Sequence, residues 1–227
     1  MRGEVPDAVV VAGGTEVMPA RNRGERPGPL LDLSRVQELR GATRDGDVLR
    51  LGALTTYTAL IEQHAADLPV LALAARTVAS RQVRNRATIG GAVALADPTA
   101  DLLAALLAAD AAVEVDGGEA VGLSGFLTGP FASRLTAGGL VTAIHVRRAT
   151  GPAAYAKVGD RNAMARAVCA VAVCGDDATR TTRAAVAACG PTPVLLSDDL
   201  PTDDPYKRHA ARVLARRALA RVEAAWS

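Results

Sequence analysis

Two glycine pairs are the segments of this sequence best suited to chemistry. They are Ala12-Gly13-Gly14-Thr15, running on into Glu16, and Thr88-Ile89-Gly90-Gly91. A backbone without Cβ atoms can approach a phosphate closely, and successive N–H groups in such a turn form an anion-binding nest. The Thr15 and Thr88 hydroxyls would add donors. An ordinary tight turn uses the same residues, so for either loop taken alone both readings stand. Neither loop fits G-x-G-x-x-G or G-x-x-x-x-G-K-[ST], which excludes the dinucleotide fingerprint and the P-loop.

Other candidate groups are sparser. Arg81 and Arg84 flank the second loop; a guanidinium is a bidentate phosphate ligand, but the favoured reading is that both pin their own segment by bonding its carbonyls. His64, His145 and His209 are widely separated, so neither a metal-ligand set nor a base and nucleophile pair emerges. Cys169, Cys174 and Cys189 lie inside apolar runs without C-x-x-C spacing and read as small core residues.

These loops need elements to hold them. An apolar run at 8–12 predicts a buried strand ending in the first glycine pair, with further strands at 30–33 and 48–53, the latter after an Asp45-Gly46 turn. Thr55 is the expected N-cap of a helix carrying Leu60 and Ile61, and a second helix covers 70–78. Residues 80–91 read as polar and irregular, followed by a helix at 102–109, a hairpin from 111 to 123 across Asp116-Gly117-Gly118, and a strand at 140–146. Gly151-Pro152 marks a boundary. Beyond it come strands at 154–158, 168–174 and 184–189, and a last helix from Pro205 with Asp204 as N-cap. The whole is an α+β pattern.

Composition narrows the partners. The 227 residues suffice for a sizeable core. Aromatics are 3% of the chain, too few for base-stacking platforms, and 26 basic against 24 acidic residues give a net charge of +2, which implies no nucleic-acid partner. No apolar run approaches the roughly 18 residues of a membrane span and the N-terminus has no leader pattern. The expectation is a soluble cytoplasmic protein with no membrane association.

The strings VVAGGTEVMP, LLDLSRV, LRLGALTT, ASRQVRNRATIGG and ADPTADL, in this order and spacing, resemble the FAD-binding subunit of the molybdenum hydroxylases. That family includes the carbon monoxide dehydrogenase medium subunit and the xanthine dehydrogenase flavin domain. The resemblance implies a two-lobed FAD-binding domain of the vanillyl-alcohol-oxidase/PCMH type at 1–150, with lobes at about 1–50 and 51–150. A small α/β C-terminal lobe at 151–227, a three-stranded antiparallel sheet with helices, would follow. FAD would be held noncovalently, its pyrophosphate on backbone N–H groups of Ala12, Gly13, Gly14, Thr15 and Glu16 and of Thr88, Ile89, Gly90 and Gly91.

By the same resemblance Asp101 would accept from adenosine or ribityl hydroxyls, or serve only as a helix N-terminal acid. Lys157 would lie near the isoalloxazine, where a cation favours the reduced anionic flavin. Ala92 and Leu95 stand where the family often has asparagines. No catalytic residue and no metal ligand is assigned. The implied function is electron relay, as an FAD-dependent oxidoreductase subunit, from a molybdenum hydroxylase to an acceptor such as NAD. The chain has three cysteines where an iron–sulfur cluster takes four thiolates, so the iron–sulfur and molybdopterin centres would sit on partner subunits; a homodimer is also compatible. The alternatives are a stand-alone flavin oxidase or dehydrogenase, and a binding protein that kept the fold and lost the cofactor.

Overall fold

Short apolar runs closed by glycine organise the N-terminus. In this computed structural model, which describes residues 8–227 apart from 26, 137, 163 and 198, β1 (Val9–Val11) pairs in parallel with β2 (Leu30–Asp32). The crossover between them is the first glycine loop and α1 (Val17–Asn22). Positions 1–7, the start of the expected N-terminal lobe, lie outside the described residues.

A five-stranded antiparallel sheet follows, in the order β3 (Ala42–Asp45), β4 (Val48–Gly52), β9 (Val141–Arg147), β5 (Ala112–Val115), β6 (Val121–Gly122). It straddles position 50, where the resemblance implied a lobe boundary. Period-two alternation sorts its faces. Leu49, Leu51, Val113, Ile144 and Val146 enter the main core. On the other face the Glu114 carboxylate receives two hydrogen bonds from Arg50, at 2.9 and 2.7 Å, one from Thr142 at 2.7 Å, and lies 2.9 Å from His145 Nε2.

The helices between the sheets are α2 (Tyr57–Glu62), α3 (Pro69–Arg76), α4 (Arg81–Arg84), α5 (Ile89–Leu95), α6 (Asp101–Ala108) and α7 (Leu123–Phe126), the last leading into a small hairpin of β7 (Leu127–Gly129) and β8 (Ala132–Ser133). Every residue of α6 is buried, as expected of a helix apolar on all sides. Two expectations are corrected here. The N-cap of α2 is Thr56, whose hydroxyl accepts from the Ala59 N–H at 3.1 Å, while Thr55 presents its carbonyl to Ile89. Residues 80–91 are not irregular throughout: Ser80 and Thr88 cap the short helices α4 and α5 by accepting from Val83 and Gly91.

The C-terminal sheet is antiparallel: β10 (Ala153–Gly159), β11 (Ala167–Asp176), β12 (Thr181–Ala187) and β13 (Val194–Leu195). The three expected strands are joined by a fourth of two residues; α8 (Pro205–Ala224) packs on one face of the sheet, and α3 and α6 pack on the other. Strand β11 reads as continuously apolar because both faces are covered. Ala170 and Ala172 face the main core, while Cys169, Val171 and Val173 face Ala211, Leu214 and Ala218 of α8. Asp204 caps α8 by accepting from Tyr206 and Lys207. Among the described residues no helix is long and apolar enough to cross a membrane.

The Arg50 hydrogen bonds, aided by those of His145 and Thr142, hold the Glu114 carboxyl down at about 2 despite its burial. A depressed carboxyl stabilises the fold above its ordinary value near 4.5, and this contribution is lost as pH falls toward 2. Urea midpoints between about pH 6 and about pH 3 should therefore fall less steeply for Glu114→Gln than for the wild type, from a lower starting value. Parallel slopes would contradict this account of the cluster.

Candidate functional site

Between the two glycine loops, the start of α6 and the segment joining β10 to β11 lies a cavity of about 720 Å³, within the usual range for small-molecule sites. Its walls are mostly small and apolar. Polar groups enter from Thr15, Glu16, Tyr57, Thr88, Asp97, Asp101 and Arg166.

The first loop turns sharply at Gly14, whose φ of +74° favours glycine. Gly13 is constrained differently: a Cβ there would lie 1.9 Å from the Arg86 carbonyl oxygen. The two loop backbones thus touch, and the Arg86 side chain returns to donate to the Gly13 carbonyl at 3.3 Å. Among the described residues the N–H groups of Gly13, Gly14 and Thr15 have no acceptor, and the Thr15 hydroxyl has no partner. All three residues line the cavity, as do Ala12 and Glu16. These donors are unspent at the cavity wall.

The second loop differs. Ile89 donates its N–H to the Thr55 carbonyl and Gly90 to the Ala53 carbonyl, both at 2.9 Å, and Gly91 donates to Thr88 Oγ1 at 3.2 Å. Its expected phosphate donors are therefore already engaged. Ile89 is fully buried in the core and does not reach the cavity, whereas Thr88, Gly90 and Gly91 do. Gly90 is required by packing, since a Cβ would meet that of Ala53 at 2.5 Å. Beside it, Ala92 and Leu95 add apolar wall.

Asp101 is 6% exposed and lines the cavity at the start of α6. Alternation along β10 puts Tyr155 and Lys157 on the face toward it. The Tyr155 hydroxyl donates to Asp101 Oδ1 at 2.5 Å, and Lys157 Nζ donates to Oδ2 at 2.7 Å. Burial, then the negative charge of Asp101, pushes the Tyr155 phenol well above its ordinary value, so it stays a donor. The remaining Lys157 donors go to the carbonyls of Thr77 and Ala165, at 3.1 and 3.0 Å. Lys157 is thus spent on protein acceptors and is not part of the cavity wall. Arg84 likewise bonds the Val78 and Ala79 carbonyls, and Arg81 pairs loosely with Glu62 at the surface.

Sequence reading missed three residues of the wall. Asp97 is buried, accepts from the Thr99 N–H and hydroxyl at 2.8 and 2.7 Å, and pairs with Arg166. Its Asp-Pro-Thr context is a turn signal that could have found it. Arg166 also meets Glu16 at 3.3 Å, tying the first loop to the C-terminal sheet; no local pattern announces that. The third is Tyr57, whose ring is buried in the main core.

Comparison with known proteins places this geometry. Residues 1–148 match the family described as the FAD binding domain in molybdopterin dehydrogenase. The chain is 36% identical over 146 residues to 6-hydroxypseudooxynicotine dehydrogenase complex subunit alpha of Paenarthrobacter nicotinovorans, covering 62% of this chain and 49% of the relative. It is also 36% identical over 146 residues to the carbon monoxide dehydrogenase medium chain of Hydrogenophaga pseudoflava, with 62% and 51% covered. The chain thus spans about half the length of the curated relatives it matches. Structural likeness runs further. A carbon monoxide dehydrogenase structure from H. pseudoflava, lacking the Mo-pyranopterin moiety of the molybdenum cofactor, superposes with a TM-score of 0.85 at 28% identity, over 97% of this chain and 91% of that one. The fold therefore persists where sequence likeness has faded. The resemblance carried by the two glycine loops is borne out.

If Lys157 acts by neutralising Asp101, Lys157→Met strands a buried carboxylate and costs about 3–5 kcal/mol in chemical denaturation. Adding Asp101→Asn should recover most of that loss. Strict additivity of the two changes would show that the pair is not coupled.

Proposed function

The chain belongs to the FAD-binding domain family of the molybdopterin dehydrogenases, and we propose that it carries FAD noncovalently in this cleft as an electron-relay subunit. Its role would be to take reducing equivalents from a molybdenum and iron–sulfur hydroxylase and deliver them to an acceptor such as NAD. The observation that carries this reading is the row of unspent N–H groups at Gly13, Gly14 and Thr15, residues that line a cavity of about 720 Å³.

The residues present fit the cofactor. Unspent main-chain donors suit a pyrophosphate, which needs hydrogen bonds more than a compensating side-chain charge. The first loop, from Ala12 to Glu16, would hold it, with Arg166 fixing Glu16 from outside. Thr88, Gly90 and Gly91 would form the opposite wall, contributing surface rather than N–H donors, and Ile89 would support them from the core. Asp101 would meet the cofactor's hydroxyls only with lone pairs left over from Tyr155 and Lys157, so Lys157 is a positioning residue. When bound, FAD supplies a centre able to exchange electrons singly or in pairs.

The proposed division of labour follows the chain. Residues 1–150 carry the cofactor loops, and 151–227 closes the cleft through Arg166 and the Asp101 partners. Partners would be an iron–sulfur subunit and a molybdopterin subunit. Relatives support this: one is named a subunit of a dehydrogenase complex, another a medium chain.

Refolding with excess FAD followed by gel filtration provides the test. Absorption bands at roughly 370 and 450 nm that coelute with the chain are expected. A colourless protein after reconstitution would overturn the cofactor reading.

A further inference from the structure

Tyr57 is the first residue of α2, held there by its N–H to the Ala87 carbonyl at 3.0 Å. Its side chain is 6% exposed, packs in the main core and also borders the cavity. Among the described residues its hydroxyl has no hydrogen-bond partner. A buried hydroxyl without a partner is unfavourable, and phenylalanine would fill the same space without it.

The carboxylates that line the cavity are already engaged. Asp101 is used by Tyr155 and Lys157, Asp97 by Thr99 and Arg166, and Glu16 by Arg166. Burial, followed by the negative charges of Asp101, Glu16 and Asp97, pushes the phenol above its ordinary value. These three residues line the cavity, as Tyr57 itself does, and a phenol held above its ordinary value stays protonated, hence a donor.

We infer that the Tyr57 hydroxyl is a direct hydrogen-bond donor to bound FAD, a contact additional to the main-chain donors of the first loop. This rests on the FAD reading above.

The test is an equilibrium titration of the full chain with FAD, followed by flavin fluorescence, together with thermal unfolding of the cofactor-free protein, for wild type and Tyr57→Phe. The expected result is a Kd raised about tenfold in the variant, with a cofactor-free melting temperature equal to or above that of wild type. Equal Kd values would overturn the inference while leaving the FAD reading intact. A variant whose cofactor-free form melts lower would also overturn it, because the hydroxyl would then have a protein partner. Wild type that binds no FAD would defeat the cofactor reading, and this inference with it.

Discussion

Direct contact between the Gly13 and Arg86 backbones, with no room for a Cβ at 1.9 Å, fixes the geometry of the cleft. It locks the first glycine loop against the segment that leads into α5. A similar close approach, Gly90 on Ala53, seats α5 against the end of β4. The carbonyl of Gly13 is held by Arg86 and that of Gly14 by Met18, while the N–H groups of Gly13, Gly14 and Thr15, residues of the cavity wall, have no acceptor among the described residues. Packing thus fixes the loop while its N–H groups stay unspent.

Charge closes the same space from the C-terminal side. Glu16, Arg166 and Asp97 form a chain from the first loop, across the segment before β11, to the turn preceding α6. Asp101, Lys157 and Tyr155 tie the start of α6 to β10. Both networks place carboxylates beside the cavity and neutralise most of their charge internally, which lets an anionic cofactor lie near acidic residues. The cost of burying these groups is offset only if each keeps its partners. Tyr57 is the exception, a buried donor left for something other than protein.

Much of the fold was legible in the sequence. The order of the longer strands and helices, the Asp204 cap and the positions of both loops follow from apolar runs, turn residues and spacing, whereas α1, α7 and the short strands β3, β7, β8 and β13 do not. The short helices α4 and α5 were not legible either, because four and seven residues show too little period to read, although Ser80 and Thr88 carried the capping signal. Pairing of β4 with β9, nearly a hundred residues apart in the chain, leaves no local trace, and so the sheet crosses position 50, where the resemblance implied a lobe boundary. At the site, a glycine pair announces only that Cβ atoms are excluded. It does not say by what. Phosphate approach was the natural reading, yet neighbouring backbone excludes them at Gly13 and Gly90. Lys157 illustrates the same limit: its strand face was predictable from Tyr155, but the Asp101 that consumes its charge is 56 residues away.

The central claim is that the first loop's unspent N–H groups hold the cofactor while those of the second loop do not. Amide chemical shifts of the labelled chain, recorded with and without FAD, test it most directly. The account predicts large changes at Gly13, Gly14 and Thr15 and only small ones at Ile89 and Gly90, whose N–H groups remain bonded to Thr55 and Ala53. Large changes at Ile89 and Gly90 with a silent first loop would contradict it.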